Sequence, residues 1–479
     1  MEVPLETPVP LTASVAGAYL ERARALPERT RSALVVSAAS DTGDVALLAR
    51  AAASLGLGVS DLVPAEARGL IAIRSGRLEF RHPLTRSAIY GDASAEERRR
   101  VHRALAEALP ETEVDRRAWH LALGAVGPDA DASSALEQAA VRARGRSAYA
   151  TAADAFERAA SLSAEEGRRA SLVFAAADAA WLAGLDERAA LLLEDAARSA
   201  GDSALSIEVE HLRGHIALRR GPIGRGREIL LGAAERAAAD RPEAAVVMLA
   251  EAAEGAFFAG DAAGMRACAE RARELMGAAD GHAAYFGLMI AGMGRILSGE
   301  GEQGADLVRK AVGLLERSED PTSDVHLLAW AAMGPLWLRE TNVGESLVDR
   351  ALETARARPA AGALPHLLTH IGIEQAATDR CIEAQATFDE AIRLARETGQ
   401  RTVLAGALGR LAWVEARCGR EHAASANGEE ALALANELGA HLFEIWALGA
   451  LASWDWCAAT RRPRPIASAS SSKRSTSTR

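Results

Sequence analysis

The sequence contains almost no lysine. Only Lys310 and Lys473 occur among its 55 basic residues, and neither follows a glycine. A phosphate-binding P-loop requires glycines around a lysine that reaches the β- and γ-phosphates of a nucleotide. The glycine clusters GLGVSDL and GRGREILLG follow no strand, so they do not indicate a dinucleotide fold either. We therefore expect this chain to contain no ATP-hydrolysing site of its own.

Motifs for other chemistries are also missing. The sequence has no GxSxG nucleophile motif and no HExxH zinc motif. His211 and His215, and likewise His366 and His370, are four residues apart and could share a helix face. No third ligand is suggested by the sequence for either pair, so histidines that pack between helices are the favoured interpretation. We predict no catalytic residue, no metal site and no enzymatic activity.

Aromatic residues make up only 4% of the 479 residues, and the four cysteines are scattered without a CxxC pair. Buried thiols in a reducing compartment are the expected interpretation. No run of about 18 residues is free of charge, and the start MEVPLETPVPLTAS lacks a basic segment before an apolar one. We therefore expect a cytoplasmic protein that makes no membrane contact.

Residues 1–110 combine helical patterns with one alternating stretch. In LIAIRSGRLEFRH, Ile71 and Ile73 alternate with polar residues, as do Leu78 and Phe80, and a glycine-containing turn lies between them. A helix is predicted from Pro83, and a further helix is predicted after Ser94. Helices followed by a small hairpin and another helix indicate a winged-helix-like module.

Beyond connecting helices at residues 111–145, amphipathic helices recur in pairs through residues 146–452. The segment AADAFERAASL, for example, places Ala152, Phe156 and Leu162 on one face. Turns are expected about every 40 residues, which is typical of a two-helix solenoid repeat. These turns are at or near Gly184, Gly221, Gly260, Gly299, Thr341, Asp379 and Gly419. The predicted fold is mainly all-α, with a winged-helix-like N-terminal module followed by a tetratricopeptide-like α-solenoid.

Five tryptophans fall on the first helices of these repeats. They are Trp181, Trp330, Trp337, Trp413 and Trp446. Aromatic side chains in solenoids usually pack in the core, so we expect most of the five to be buried. A minority could line a ligand groove on the side of the array that the first helices share.

Residues 453–479 are rich in Pro, Ser and Arg and lose the helical pattern. Such a composition is typical of a disordered tail. The codons for Trp454–Cys457 allow little synonymous choice, and a one-base shift would permit a further repeat-like helix pair. We therefore favour the hypothesis that the chain ends in a frameshift, with a genuine tail as the alternative.

The segments RLEFRHPLTRSAIYGDASAEERRRVHRALAEAL and DRRAWHLALGAVGPDADASSALEQAAVRARGRSAYATAADAFERAASL resemble the large ATP-binding regulators of the LuxR family, the MalT-like signal-transduction ATPases (STAND proteins). The resemblance covers residues 10–452 and is most specific at 77–163. Complete members carry a P-loop ATPase domain, a winged-helix segment, a helical-repeat sensor and a C-terminal helix-turn-helix. The resemblance implies a fragment without the P-loop domain and without the helix-turn-helix.

The same resemblance implies a site at the hairpin–helix junction. His82 matches a histidine that contacts the bound nucleotide in such ATPases, and Arg81 and Arg86 are weaker candidates. Pro83 stands where an aspartate is common in the family. ATP and ADP belong to the intact family, and no cofactor is expected in this chain. A structural role for His82 is the alternative interpretation.

Two functions are therefore expected. In the first, the chain is the sensor portion of a LuxR-type transcriptional regulator and relays the binding of an unknown inducer or protein to the family's ATPase domain. In the second, it is a stand-alone scaffold that binds a protein or peptide. The net charge of −10 and pI near 5.7 oppose a DNA-binding surface. We predict no sequence-specific DNA binding by this chain.

Overall fold

The computed structural model describes residues 20–201, 204–276, 282–317, 328–338, 345–358 and 360–461. Within these residues the chain is almost entirely helical, apart from one hairpin, as the sequence predicts. The elements are α1 Glu28–Ala39, α2 Val45–Ser54, a 3-10 turn Val59–Leu62, α3 Val63–Ala67, β1 Ile71–Arg74, β2 Arg77–Phe80, α4 Pro83–Asp92, α5 Ala95–Ala108, α6 Val114–Gly124, α7 Ala130–Gly145, α8 Tyr149–Ser161, α9 Glu166–Leu182, α10 Asp186–Ala200, α11 Ala204–Arg220, α12 Ile223–Ala237, α13 Pro242–Phe258, α14 Ala262–Met276, α15 His282–Leu297, α16 Gly301–Glu316, α17 Leu328–Leu338, α18 Glu345–Ala357, α19 Leu364–Ala377, α20 Cys381–Glu397, α21 Arg401–Arg417, α22 Glu421–Leu438 and α23 His441–Arg461.

The predicted hairpin is confirmed at the predicted residues. Strands β1 and β2 are antiparallel, and Ile71 pairs with Phe80. The two turn residues, Ser75 and Gly76, have φ of 49° and 77°. Positive φ at both turn positions is the geometry that matches the twist of a two-residue hairpin, and glycine adopts it without steric cost. The winged-helix assignment of this module stays a prediction.

Side-chain caps explain where several N-terminal helices begin. Asp44 accepts a hydrogen bond from the Ala46 amide at 2.9 Å at the start of α2. Ser94 accepts one from the Glu97 amide at 3.1 Å at the start of α5. Glu97 itself receives a hydrogen bond from the Ser32 hydroxyl at 3.1 Å, so its carboxylate links α5 to α1. These caps satisfy amides that a first helical turn leaves unpaired.

The turns inside the helix pairs lie where the sequence predicts them. Positive φ values occur at six of the seven predicted positions: Gly184, Gly221, Gly260, Gly299, Asp379 and Gly419. The seventh, Thr341, lies outside the described residues. A residue in the left-handed region ends a helix and reverses the chain direction, which glycine does at the lowest cost. The two-helix repeat is therefore confirmed along the described part of the array.

Small residues fill the spaces between paired helices. On α8 the predicted face is buried, with Ala152 0%, Phe156 4% and Leu162 3% exposed. Alanines dominate the buried residues in the rest of the array as well. Because alanine lets helix backbones approach closely and has the highest helix propensity, this composition suits tightly packed helical pairs.

The contacts divide the chain into two compact units. The first comprises residues 1–213 and 355–362, and the second comprises 214–354 and 363–479. Leu34, Leu105 and Ile71 belong to the core of the first unit, and Phe388 and Leu408 to that of the second. The predicted domain limits at residues 110, 145 and 452 stay predictions.

The last helix and the cysteines differ in part from the expectations. The helix α23 continues through Arg461, nine residues beyond the predicted change at 452, while residues 462–479 lie outside the described residues. The expectation that the cysteines are buried is correct for Cys268, but Cys381 is half-buried and Cys418 is exposed, and the side chain of Cys457 lies outside the described part of the structure. Cys381 and Cys418 lie at the ends of adjacent helices, α20 and α21, where solvent reaches the turn. The frameshift hypothesis is unaffected by these observations.

No single helix in the described ranges combines the length and apolar character that crossing a membrane requires. One pair, Val45–Ser54 with Val59–Ala67, meets the length and composition requirement only when taken together, and it is bent by 107°.

Candidate functional site

His82 lies between β2 and α4 and acts as the N-terminal cap of that helix. Its Nδ1 accepts a hydrogen bond from the Leu84 amide at 3.2 Å, and its side chain is exposed. An acceptor at this position satisfies one of the unpaired amides of the first turn. Pro83 follows directly at the first helical position, where its missing N–H costs nothing. The cap gives His82 a local structural role, and its predicted nucleotide contact stays a prediction.

The two arginines predicted to assist His82 lie in different surroundings. Arg81 is exposed at the same junction. Arg86 donates from Nε to the Ala38 carbonyl at 2.9 Å and from Nη2 to the Ser40 carbonyl at 3.1 Å. These carbonyls end α1, where a cation is favourable because of the helix dipole. The structure therefore places His82 and Arg81 together, and directs the Arg86 guanidinium to the end of α1.

A buried polar network joins three helices of the second unit. Arg219 of α11 donates from Nη1 to Oε2 of Glu254 in α13 at 2.7 Å. His366 of α19 lies with Nε2 at 2.9 Å from the other carboxylate oxygen, Oε1. Glu254 is 0%, Arg219 2% and His366 6% exposed. Buried charges require partners, and here a guanidinium and a carboxylate neutralise each other.

The charges in this network follow from burial and proximity. Burial disfavours the Glu254 carboxylate, but the Arg219 cation and the hydrogen bond from His366 overcome that penalty and hold its pKa far below the usual range. Burial, reinforced by the Arg219 cation, lowers the pKa of His366 to about 3. His366 is therefore neutral at pH 7 and carries its proton on Nε2, because a carboxylate can only accept a hydrogen bond.

His370 lies one turn after His366, and the two rings are 4.5 Å apart in an edge-to-face arrangement. Its Nδ1 lies 2.9 Å from the His366 carbonyl oxygen, so Nδ1 carries the proton and donates it. Burial lowers the pKa of His370 as well, so the ring is neutral. Its Nε2 is therefore an unprotonated acceptor, and it makes no hydrogen bond to a residue of the described ranges.

Glu254, His366 and His370 place three potential ligand atoms within 4.8 Å of one another. A carboxylate and two imidazoles form a set that zinc accepts, and the sequence suggested no third ligand for this histidine pair. Two features oppose an ion, since both Glu254 oxygens are already bonded and a divalent cation would stand near the buried Arg219 guanidinium. We interpret the cluster as a hydrogen-bonded network. In the other predicted pair, His215 contacts Glu251 at 3.0 Å.

The network borders a pocket of about 370 Å³ in the second unit, which we call the aromatic pocket. Its lining comes from α13, α15, α17, α19, α21 and α23, which are the first helices of successive pairs and the helix that follows the last pair. The lining residues are Phe257, Phe258, Ile296, Leu297, Met333, Leu336, Trp337, His366, Thr369, His370, Ile373, Thr402, Val403, Gly406, Arg410, Phe443 and Trp446. The volume lies in the range of small-molecule sites, about 300–1,000 Å³.

Five aromatic rings form one continuous wall of this pocket. Phe257 contacts Trp337 with ring centroids 5.2 Å apart, and Phe258 contacts Phe443 at 4.9 Å. Phe443 contacts Trp446 at 5.1 Å. The whole chain has only eight phenylalanines and eight tryptophans, and five of these sixteen residues form this wall. Aromatic walls of this kind favour flat apolar ligands.

Polar groups interrupt the apolar lining at a few points. His370 is 8% exposed and Thr402 is 1% exposed. The Thr402 hydroxyl oxygen has no hydrogen-bond partner among the described residues. Arg410 lies with its guanidinium carbon 3.6 Å from the centre of the Trp446 ring, a close cation–π contact. A mostly apolar pocket with a few convergent polar atoms is the usual form of a ligand site.

Of the five tryptophans expected to be mostly buried, two are buried and three are half-buried. Trp181 and Trp330 are buried, at 0% and 1% exposure, and Trp413 packs partly buried at the core of the second unit. Trp337 and Trp446 line the aromatic pocket. The sequence analysis did not identify Phe257, Phe258, Thr402 or Arg410. The adjacent pair Phe257–Phe258, at a helix end in an aromatic-poor chain, was the signal available for the first two.

No family model matches this sequence. No curated protein matches it either. Among solved structures, the chain is similar to a Signal Transduction ATPase with Numerous Domains that has a tetratricopeptide repeat sensor, from Pyrococcus horikoshii. The identity is 13% and the TM-score 0.38, over 94% of this chain and 67% of that one. It is also similar to a Rap protein complexed with Competence and Sporulation Factor, at 10% identity and a TM-score of 0.42, over 81% of this chain and 98% of that one.

Proposed function

We propose that this chain is the sensor and relay portion of a LuxR-type, ATP-dependent transcriptional regulator. The helical repeats bind a ligand, and the N-terminal module with the hairpin passes the bound state to a nucleotide switch in the family's ATPase domain. The chain itself is not an enzyme in this proposal. The support comes from the resemblance of residues 77–163 and from the aromatic pocket. The pocket is the observation that carries the proposal.

The lining of the pocket explains why binding there can act as a signal. The lining residues come from six alternate helices of the array, the first helices of successive pairs and the helix after the last pair. A ligand that contacts all of them favours the arrangement of helices that fits it best, and so shifts the population between arrangements. In a solenoid each repeat is held mainly by its neighbours, so a change in several adjacent repeats is passed along the array.

Hydrogen exchange on the whole chain tests this relay. Titration with a compound that binds in the pocket is expected to slow amide exchange in α13, α19 and α21. If the chain is a sensor, exchange also changes in β1, β2 and α4 of the first unit. His82 lies between β2 and α4. An effect confined to the pocket helices would contradict the relay.

A stand-alone scaffold that binds a peptide or protein is the second candidate. The number of first helices along the lining favours it, because an extended peptide needs contacts over several successive repeats. In that case a peptide partner would protect the same first helices, and exchange in the hairpin module would not respond. Pull-down with the aromatic pocket blocked by a small ligand separates the two candidates, since only a partner seated in the pocket is displaced.

A further inference from the structure

We propose that the aromatic pocket binds a neutral, flat and largely apolar molecule that carries a hydroxyl group, of the phenol or polycyclic alcohol class. This inference rests on the proposed sensor function, because it concerns the same pocket. It adds the chemistry of the ligand, which follows from the walls, the hydrogen-bonding atoms and the charges of the pocket lining.

The walls determine the body of the ligand. The rings of Phe257, Trp337, Phe258, Phe443 and Trp446 follow one another at centroid distances of 4.9 to 6.2 Å. Aliphatic side chains of α15, α17 and α19 complete the lining. Flat ring systems gain most from such a surface, because stacked and edge-to-face contacts add to the burial of apolar area. A sugar or a short polar peptide would leave its own polar groups unpaired against these walls.

The hydrogen-bonding atoms determine the polar group. The Nε2 of His370 is an acceptor, because the ring is neutral and its only proton is given to the His366 carbonyl. A ligand must therefore bring a donor to that atom. A hydroxyl supplies one O–H donor and carries no charge. Leaving the Nε2 acceptor unpaired beneath an apolar ligand is costly, so a ligand with a hydroxyl is favoured over its apolar analogue.

The charged groups that line the pocket disfavour ligands that carry a charge. No carboxylate side chain lines the pocket among the described residues. An ammonium group would therefore have no counter-charge in the lining and would meet the Arg410 guanidinium over Trp446. A carboxylate ligand would find a counter-charge in Arg410, which already covers the Trp446 ring, but it would place negative charge against the lone pair of His370 Nε2 and bring no donor to that atom. A neutral hydroxyl avoids both the repulsion from Arg410 and the contact of a negative charge with His370 Nε2.

Calorimetry on the full chain at pH 7 provides the test, with 2-naphthol, 2-methoxynaphthalene and 2-naphthoate as probes. The methoxy compound has the same rings but no donor, and the naphthoate carries a charge. We expect 2-naphthol to bind about tenfold more tightly than 2-methoxynaphthalene, which is the upper range for one neutral hydrogen bond. The naphthoate is expected to bind most weakly.

Variants assign this preference to the predicted atom. His370→Phe keeps a ring of similar shape but removes the acceptor, so the two neutral naphthalenes are expected to bind equally. Thr402→Val keeps the shape of a lining side chain whose hydroxyl oxygen is closed to solvent, so it should leave the preference for 2-naphthol unchanged. His370→Leu also removes the acceptor, and it serves where circular dichroism shows that His370→Phe fails to fold. Thr378→Val, an exposed threonine of the same unit that lies outside the pocket, is the matched control and should leave all affinities unchanged.

The outcomes separate the ligand class from the sensor function. Equal binding of the two neutral probes to the original chain, a hydroxyl preference that survives in folded His370→Phe, or no binding of any probe would overturn the ligand class. A hydroxyl preference without altered hydrogen exchange in β1, β2 and α4 would support the class and contradict the sensor function. Altered exchange in β1, β2 and α4 with an apolar probe, without a hydroxyl preference, would support the sensor function and contradict the ligand class.

Discussion

Histidines are buried in both units of this protein, but their surroundings differ. In the first unit the Tyr90 hydroxyl lies 2.8 Å from Nε2 of His102, whose Nδ1 lies 2.9 Å from Nδ1 of His120. These three groups form a chain of neutral hydrogen bonds. In the second unit the neutral His366 bonds to the charged Glu254, and that carboxylate is balanced by an arginine.

The difference shows how each network responds to a change of charge. Two facing Nδ1 atoms share one proton between them, so protonation of both His102 and His120 would break their contact. Burial lowers the pKa of His102 to about 3 and that of His120 to about 4. The second network already contains opposite charges, so the loss of one charge leaves the other unpaired. The first network is therefore sensitive to acid, and the second is sensitive to substitution.

The largest effect is expected for Glu254→Gln. This change leaves the Arg219 guanidinium buried and without a counter-charge, which destabilises a protein by about 3–5 kcal/mol. The loss is measured as the opening free energy of amides in α11 and α13 by hydrogen exchange.

The matched control is Glu235→Gln, which removes an exposed partner of Arg271. Exposed ion pairs contribute about 1 kcal/mol or less, so this change should have little effect. If both substitutions had the same small effect, the interpretation of Glu254 as the charge partner of Arg219 would be wrong.

Acidification should destabilise the first unit by a smaller amount. The folded pKa values of His102 and His120 lie below the ordinary value of 6.5, so the unfolded chain takes up protons first as the pH falls. The stability that neutral histidines contribute is complete above about pH 6.5 and is lost between there and about pH 3–4. One pKa unit corresponds to about 1.4 kcal/mol for each histidine, so we expect a loss of about 3 kcal/mol from the two together by pH 5.5.

Hydrogen exchange of α5 and α6 between pH 7 and pH 5.5 measures this loss, after correction for the intrinsic pH dependence of exchange. His120→Gln removes one titrating group while keeping a hydrogen-bond partner for His102, and should reduce the pH dependence by about half. His441→Gln, an exposed histidine of the second unit, is the control. An unchanged pH dependence in His120→Gln would contradict the assignment.

The smallest effect is expected for the exposed histidine His82. His82 caps α4 through Nδ1, so His82→Ala should destabilise that helix by about 1 kcal/mol. His82→Asn should restore most of the loss, because asparagine is a favourable cap. Exchange of the α4 amides measures both effects. If alanine had no effect, the cap would not explain this histidine, and the predicted nucleotide contact would gain support.

The repeats and the hairpin could be predicted because their signals are local. The turn at Ser75–Gly76 and the glycines at the helix-pair turns are visible in short windows of sequence, and each confirmed turn has positive φ. The pocket could not be predicted in this way. Glu254 and His366 are 112 residues apart in sequence, and no pattern within one helix indicates that they meet.

The role of a residue depended on its partners more than on its type. Trp330 and Trp337 lie two turns apart on one helix, but one is buried and the other faces a pocket. His366 and His370 resemble a metal-binding pair by spacing, and Arg219 changes that interpretation. These outcomes depend on which helix packs opposite, and the helix sequence alone does not contain that information.

The sequence by itself determined the helical pairs, their period of about 40 residues, the hairpin and the absence of a P-loop in the chain. These features follow from residue-by-residue backbone preferences and from apolar periodicity, which act over a few residues. Only the tertiary structure decided that α13, α19, α21 and α23 meet around an aromatic pocket, and that Glu254 and the His366 carbonyl set the proton positions on its histidines. Burial and electrostatic pairing depend on distances between atoms that are far apart in the chain, so they exist only once the helices have packed.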